Sequence, residues 1–156
     1  MKLFIFGSTG DLIKRKIFPA LQEINKKDLE IYAMGRREFD KNSYISFSCQ
    51  KCSDKFKEKI NYLKVNFESK DLLKNYKHIL NKNKTNHFYL ALPPRLHQQI
   101  IIYLGELKNK GFKLKILIEK PFGENLENAK ELDNLLEKYN LKQDLFLADH
   151  YLFKQN

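Results

Sequence analysis

The chain has 156 residues, of which 42% are hydrophobic and 31% charged, and its formal net charge is +10. This length is sufficient to close one hydrophobic core, and this composition excludes a disordered or a membrane-embedded chain. Lysines are spread along the whole sequence, so the charge is typical of a solvated surface or of a field that attracts phosphorylated small molecules. We therefore expect one soluble domain over residues 1–156, with neither nucleic acid nor a membrane as partner.

The amino terminus, MKLFIFGSTGD, contains one lysine and a short apolar run that ends at a Gly-rich turn. It lacks the small-residue cleavage site of a signal peptide, so it is predicted to be a strand. The sequence also carries no disulfide framework, since it has only two cysteines. Together these features predict a protein of the reducing cytoplasm.

Cys49 and Cys52 form a lone C-x-x-C in a segment that is predicted to be helical. They are interpreted as incidental free thiols, as half of a zinc site or as a redox pair. A zinc site normally needs two further close ligands, and the sequence has no second C-x-x-C. Free thiols are therefore the favoured interpretation, and no metal site is predicted.

Apolar, β-rich runs alternate with longer amphipathic segments, which is typical of βαβ units and a parallel sheet. Strands are predicted near Lys2–Phe6, Ile31–Met34, Asn61–Val65, His87–Leu92, Leu114–Glu119 and Leu145–Ala148. Two of these strands contain nearly continuous apolar runs, as central strands covered on both faces do. The predicted fold is α/β, a doubly wound parallel sheet of about six strands with flanking helices.

The segments between the strands have helical periodicity. Helices are predicted near Asp11–Lys26, Ser43–Lys59, Ser69–Asn81, Arg95–Asn109 and Leu126–Tyr139. Pro19 lies inside the first of them and should bend or interrupt it, because proline lacks a backbone donor and its ring meets the preceding turn.

Gly7 and Gly10 follow the first predicted strand directly and precede the first predicted helix. A glycine allows a tight turn, and the free N–H groups of a helix N-terminus attract the pyrophosphate of a dinucleotide. The spacing G-x-x-G is shorter than the full dinucleotide fingerprint, so a plain strand-to-helix turn is the alternative interpretation.

Arg36 and Arg37 end the second predicted strand, in the sequence IYAMGRR. Enzymes that use NAD carry a carboxylate at this place for the ribose hydroxyls, whereas an arginine suits the 2′-phosphate of NADP. Two solvated arginines after a strand are the alternative in so basic a chain. The position favours NADP as the cofactor over NAD.

Four motifs then occur in a fixed order: FGSTGDLIKRKIFPAL, FYLALPP, IEKPFG and DHYLFK. Together they resemble the glucose-6-phosphate dehydrogenase family, over the stretch from Phe6 to Lys154. The resemblance covers only the family's N-terminal, Rossmann-type nucleotide-binding portion. It implies an oxidoreductase of the pentose phosphate pathway that transfers a hydride from C1 of glucose 6-phosphate to NADP.

The resemblance also implies roles for individual residues. Arg36 resembles the ligand of the 2′-phosphate, with Arg37 beside it, and Lys120 in the E-K-P motif resembles the lysine that reaches both coenzyme and substrate. Buried lysines rarely serve a purely structural role, so Lys120 is expected to act in the reaction, and Pro121 to fix the chain direction. The other implied coenzyme residues are Gly7, Thr9, Gly10, Asp11 and Leu12 in the turn, and Leu92 and Pro93 beside the nicotinamide.

In the motif DHYLFK, the resemblance implies that His150, Tyr151 and Lys154 grip the sugar phosphate. Asp149 resembles the carboxylate that orients the family's catalytic histidine. The family has glycine before the lysine and glutamate after it, where this chain has Phe153 and Gln155. The backbone at Lys154 is therefore expected to be positioned differently.

The family's general base lies downstream of the matched region, and none of the four histidines falls at its place. We therefore expect a catalytically incomplete chain, without the family's C-terminal substrate and oligomerisation domain. The alternatives are a truncated non-catalytic nucleotide-binding module and, less favoured, a basic domain that binds nucleic acid without sequence preference. Apolar surface left uncovered predicts self-association.

Overall fold

The computed structural model describes residues 1–69, 72 and 74–148. Within these residues the fold contains one sheet of six strands, in the order β3-β2-β1-β4-β5-β6. Every neighbouring pair is parallel, which confirms the doubly wound parallel sheet. The strands are β1 (Lys2–Phe6), β2 (Glu30–Gly35), β3 (Ile60–Lys64), β4 (Asn86–Leu90), β5 (Leu114–Glu119) and β6 (Leu145–Ala148).

The order of the strands reverses between β1 and β4, which lie side by side at the centre of the sheet. Phe6 at the end of β1 pairs with Met34 of β2 and with Leu90 of β4, and Leu90 pairs with Ile118 of β5. Four strands therefore end at one level. In open α/β sheets, ligands bind beyond the carboxyl ends of the strands at such a switch point.

Five α-helices and several short helical turns connect the described strands. The α-helices are α1 (Phe18–Ile24), α2 (Lys41–Ser48), α3 (Asp54–Lys57), α4 (His97–Asn109) and α5 (Leu126–Lys138). A π-helical segment spans Ile13–Ile17, and 3-10 turns span Lys74–Ile79, Pro94–Leu96 and Lys142–Asp144.

The interruption predicted at Pro19 is confirmed, because the π-helical segment gives way to α1 one residue before it. Pro19 lies in the first turn of α1, where its missing N–H does not break a helical hydrogen bond.

Two predicted helices are wrong in their extent. The segment Ser43–Lys59 forms two short helices, α2 and α3. The first of them begins before Ser43, because the Asp40 side chain accepts a hydrogen bond from Ser43 N–H at 2.8 Å and caps the helix. The chain then turns between Cys49 and Cys52, whose sulfurs are joined in a disulfide. The expectation of free thiols is therefore wrong. Of the predicted helix Ser69–Asn81, the described part contains only the 3-10 turn Lys74–Ile79.

The sheet has a hydrophobic core on each face. On one face, Phe4, Phe6 and Phe88 pack with buried residues of α4 and α5. On the other face, Ile5 packs with Phe18 of α1 and with residues of α2 and α3. This two-sided burial explains why the central strands are apolar at successive positions.

The second face of the sheet is covered only in part by the described chain. A groove of about 640 Å³ lies between α1 and the β4–β6 part of the sheet, and its accessible lining is apolar. Leu117 and Phe146 line it, and their exposed fractions are 37% and 52%. Right-handed crossovers place α1 and α2 over the β1–β3 half of this face. Among the described residues, no helix covers the β4–β6 half.

Candidate functional site

The turn after β1 is folded against the end of β2. The N–H groups of Gly7 and Ser8 both donate to the Met34 carbonyl, at 3.1 and 2.8 Å, and Gly10 N–H donates to the Gly7 carbonyl at 3.1 Å. Asp11 then begins the helical segment. The turn therefore presents a helix N-terminus at the switch point of the sheet, which is the place where an anion binds well.

The two glycines of this turn have different structural requirements. Gly7 has a φ of +85°, and a Cβ atom there would lie 2.0 Å from the Ala91 carbonyl oxygen. A Cβ atom at Gly10 would meet only the Gly7 carbonyl oxygen, at 3.4 Å. The fold thus requires glycine at Gly7, whereas it leaves Gly10 exposed and open to a ligand.

A buried tyrosine supports the turn from below. The Tyr44 hydroxyl of α2 donates to the Ser8 carbonyl at 2.9 Å, and its ring stacks on Tyr62 with the centroids 4.4 Å apart. Burial raises the pKa of Tyr44 to about 12, so the hydroxyl remains a donor at neutral pH. Sequence reasoning missed this contact, because the two residues are 36 positions apart.

The other predicted residues of the turn differ in their exposure. A methyl group added at Gly35 would lie 2.8 Å from the Thr9 methyl carbon, so Thr9 packs closely against the end of β2. Asp11 is exposed and forms an ion pair with Arg15 at 2.8 Å, one helical turn later. A carboxylate in the first helical turn is favoured by the helix dipole, and Leu12 is half-buried behind it.

Arg36 and Arg37 follow the carboxyl end of β2 and are both exposed. The Tyr62 hydroxyl donates to the Arg37 carbonyl at 2.6 Å, which fixes the backbone there. The Arg37 guanidinium lies 5.4 Å from the centroid of the Phe47 ring. Both arginines therefore lie at the edge of the sheet where the Gly-rich turn follows β1.

The nearest carboxylate to these arginines in the sequence is Glu38, which is engaged elsewhere. Lys64 at the end of β3 donates to the Glu38 carboxylate at 2.6 Å. Two cations, rather than a free carboxylate, thus follow β2 directly.

Leu92 and Pro93 follow β4 at the same edge. Ala91 N–H donates to the Phe6 carbonyl at 2.9 Å, and a Leu92 methyl carbon would lie 3.2 Å from a Cβ atom at Gly7. The segment therefore touches the Gly-rich turn. The His97 Nε2 atom, at the start of α4, lies 3.0 Å from the Leu92 carbonyl oxygen.

Lys120 follows β5 at this edge, and its peptide bond to Pro121 is cis. Lys120 is exposed, so the argument from buried lysines does not apply to it. The strand before it is anchored by the Tyr89 hydroxyl, which donates to the Glu119 carboxylate. Burial, together with that carboxylate, raises the pKa of Tyr89. Lys120 is thus an exposed residue at the end of an anchored strand.

The structure brings together the predicted coenzyme residues of four strand ends. The remaining predicted residues, Asp149, His150, Tyr151 and Lys154, lie outside the described residues. Within the described ranges, no group of three or more His, Cys, Asp or Glu side chains is arranged to hold a metal ion. Nor does any helix there have the length and apolar character needed to cross a membrane.

Comparison with known proteins identifies this arrangement. The family model described as the NAD-binding domain of glucose-6-phosphate dehydrogenase matches residues 4–156. The chain belongs to the glucose-6-phosphate dehydrogenase family. It corresponds to the nucleotide-binding domain of that family of oxidoreductases, a domain that takes a nicotinamide dinucleotide.

Relatives in the glucose-6-phosphate dehydrogenase family are longer than this chain. A glucose-6-phosphate 1-dehydrogenase of Buchnera aphidicola subsp. Schizaphis graminum is 33% identical over 99% of the chain, which covers 35% of that protein. The enzyme of Helicobacter pylori strain 26695 is 30% identical over 98% of the chain and 39% of the relative. The chain thus spans little more than a third of the length of these relatives.

The fold is also found in solved structures. The glucose-6-phosphate 1-dehydrogenase of Mycobacterium avium matches 99% of the chain and 37% of its own length, with a TM-score of 0.84 and 23% identity. A 3-ketoreductase of Actinomadura kijaniata, solved with NADP, matches the whole chain with a TM-score of 0.55 and 17% identity. These similarities support the fold alone.

Proposed function

We propose that this chain binds NADP across the carboxyl ends of β1, β2, β4 and β5. The observation that carries the proposal is the register of the sheet, which ends four strands at one level beside the switch point. The pyrophosphate would lie on the turn Gly7–Leu12, where Gly10 is open and the helix N-terminus supplies N–H groups.

NADP is preferred over NAD in this proposal because of the charges after β2. Arg36 and Arg37 are exposed at the strand end, and Glu38 is held by Lys64. A 2′-phosphate gains charge-assisted hydrogen bonds from a guanidinium, whereas the ribose hydroxyl of NAD prefers a carboxylate acceptor.

The nicotinamide half would lie toward Leu92, Pro93 and Lys120. In the reaction of the family, the bound coenzyme accepts a hydride from C1 of glucose 6-phosphate. We assign to Lys120 the hydrogen bonds that align the sugar with the coenzyme, because it follows an anchored strand at the coenzyme edge and matches the family's E-K-P motif. Catalysis also needs a general base and a complete substrate site, which the remaining part of the family's fold would supply.

The substrate contacts of the last motif belong to the same proposal. His150, Tyr151 and Lys154 would bind the phosphate of glucose 6-phosphate through their hydrogen-bond donors. Asp149 would orient the family's histidine base through a hydrogen bond to its ring. These assignments depend on the family pattern of the sequence DHYLFK.

Calorimetric titration with NADP and NAD tests the coenzyme assignment. The Arg36→Ala variant should lose NADP affinity by about 10- to 100-fold, the cost of charge-assisted hydrogen bonds to a phosphate. Its NAD affinity should stay unchanged, since NAD has no 2′-phosphate. Lys110→Ala, which removes an exposed charge at the far end of α4, is the matched control.

Failure to bind either dinucleotide would favour the non-catalytic alternative and contradict the proposal. Equal losses for NADP and NAD in Arg36→Ala would leave a coenzyme site but remove the 2′-phosphate assignment.

We also propose that the chain, by itself, associates with a second copy through the apolar groove between α1 and β6. The groove is apolar along its accessible lining and is open to solvent at Leu117 and Phe146. Apolar patches of this kind drive association, because water is released when they are covered.

A further inference from the structure

His97 is buried at the start of α4, yet it is a polar residue in an apolar environment. Its exposed fraction is 1%, and the neighbouring Leu96 and Ile100 are buried apolar residues. Its Nε2 atom lies 3.0 Å from the Leu92 carbonyl oxygen. Because a carbonyl only accepts hydrogen bonds, Nε2 carries the hydrogen and Nδ1 carries the lone pair.

The Nδ1 atom has no hydrogen-bond partner among the described residues. A buried acceptor without a partner destabilises a fold, so an apolar side chain of similar shape would pack at this place at lower cost. Burial also lowers the pKa of His97, which favours the neutral ring. The contact with Leu92 is what distinguishes this histidine from an apolar residue.

The segment that His97 holds is the connection from β4 to α4. Ala91 N–H donates to the Phe6 carbonyl at 2.9 Å, and Leu96 N–H donates to the Pro93 carbonyl at 3.0 Å. The His97 ring fixes the peptide unit between these two backbone contacts. Leu92 also packs against Gly7 of the turn, so the orientation of this peptide determines where the Leu92 side chain and Pro93 face the coenzyme edge.

We propose that His97 is a positioning residue for the nicotinamide half of the coenzyme. Its Nε2–H group holds the Leu92 carbonyl, and thereby sets the surface of Leu92 and Pro93 against which the nicotinamide ring lies. The inference rests on the proposed coenzyme function and adds to it a residue that contacts no part of the coenzyme itself.

The test compares two ligands by calorimetry: NADP, and adenosine 2′,5′-bisphosphate, which lacks the nicotinamide half. His97→Leu removes the donor and should weaken NADP binding about tenfold, the scale of one buried hydrogen bond. Binding of the bisphosphate should stay within about twofold, because it does not reach Leu92. His97→Gln places an amide donor near the position of Nε2 and should restore NADP affinity.

A role in stability alone gives a different pattern. Ile100→Val, a buried change one turn later in α4, should lower the thermal midpoint and leave both affinities unchanged. If His97→Leu binds NADP as the unmodified chain does, or weakens both ligands equally, the positioning role is overturned while the coenzyme site stands. If the unmodified chain binds the bisphosphate but not NADP, the nicotinamide assignment and this inference both fail.

The unmodified protein provides a second measurement that does not depend on the folding of a variant. Nitrogen NMR of the His97 ring should show the neutral Nε2–H tautomer, and NADP but not the bisphosphate should shift its resonances. The Nδ1–H tautomer, or equal shifts with both ligands, would contradict the proposal.

Discussion

Gly7 and Gly10 are three residues apart in one turn, but the fold constrains only the first of them. Gly7 combines a φ of +85° with a backbone oxygen in the place of a side chain, whereas a Cβ atom at Gly10 would make only an ordinary contact. A glycine that the fold does not need is best explained by what must approach it, and a phosphate requires close access to the backbone.

The variant Gly10→Ala separates binding from folding. Its thermal midpoint should stay close to that of the unmodified chain, because the added methyl makes only an ordinary contact. NADP affinity should fall by at least about tenfold if the methyl occupies the approach of the pyrophosphate. Calorimetry and thermal unfolding measure the two effects.

Gly7→Ala is the contrasting variant. The added Cβ would overlap the Ala91 carbonyl, so unfolding should become easier by about 3 kcal/mol or more. If Gly10→Ala instead unfolds like Gly7→Ala, or if it binds NADP normally, the assignment of Gly10 is wrong.

The site could be predicted from the sequence only where residues are close to the strand ends. Gly7, Arg36 and Lys120 follow apolar runs directly, so their shared edge follows from a parallel sheet. The contacts from Tyr44 to Ser8 and from His97 to Leu92 could not be found this way, since they join a side chain to a backbone carbonyl. Every residue has a backbone carbonyl, so the sequence does not indicate which carbonyl accepts a hydrogen bond from a distant side chain.

At the scale of elements, strands were more predictable than helices. The predicted bounds of β1, β5 and β6 agree with the structure, because their β-rich runs are limited by turn residues. The sequence predicts one helix over Ser43–Lys59, since helical periodicity continues across it. The disulfide turn at Cys49 and Cys52 breaks it, and pairing of two thiols depends on their geometry.

Asp144, just before β6, joins α4 to the sheet through two lysines. Lys108 of α4 and Lys115 of β5 donate to its carboxylate at 2.6 and 3.1 Å. Burial raises the pKa of Asp144, but the hydrogen bonds from both lysines outweigh burial and lower the pKa below its usual value. The folded state therefore favours the charged carboxylate.

The variant Asp144→Asn should lower the free energy of unfolding by about 1 kcal/mol at pH 7, since Lys115 is partly exposed and its contribution is screened. A carboxylate with a lowered pKa stabilises the fold above its unfolded pKa of 3.8 and loses this contribution as the pH falls through the folded pKa. The difference between variant and unmodified chain should thus shrink below about pH 4. Urea unfolding at pH 7 and pH 3 measures it.

Lys142→Ala is the control for this electrostatic prediction. Its ammonium is paired with Asp133 at 2.9 Å and is exposed, so its loss should change stability by only a few tenths of a kcal/mol. An Asp144→Asn effect that is equal at both pH values would show that the carboxylate acts through packing rather than charge.

At the scale of the whole molecule, the described residues place no helix over one half of one sheet face. Phe146→Lys places a charge in the apolar groove and should disfavour association, because the ammonium would have to be desolvated in the interface. Light scattering should show a mass above that of the monomer for the unmodified chain and a shift toward monomer for the variant.

Leu126→Lys is the matched control, since Leu126 is 73% exposed and does not line the groove. It should leave the mass unchanged. A monodisperse monomer of the unmodified chain at all concentrations would contradict the self-association proposal.

Amide NMR of the chain titrated with NADP tests the central claim most directly, because it maps the binding surface on the whole molecule. Resonances of the turn Gly7–Leu12, of Arg36 and Arg37, and of Leu92 should shift together and saturate, while those of Leu3 and Lys115 in the groove stay in place. Shifts confined to the groove, or no saturable shift in the turn, would contradict an NADP site at the carboxyl ends of the strands.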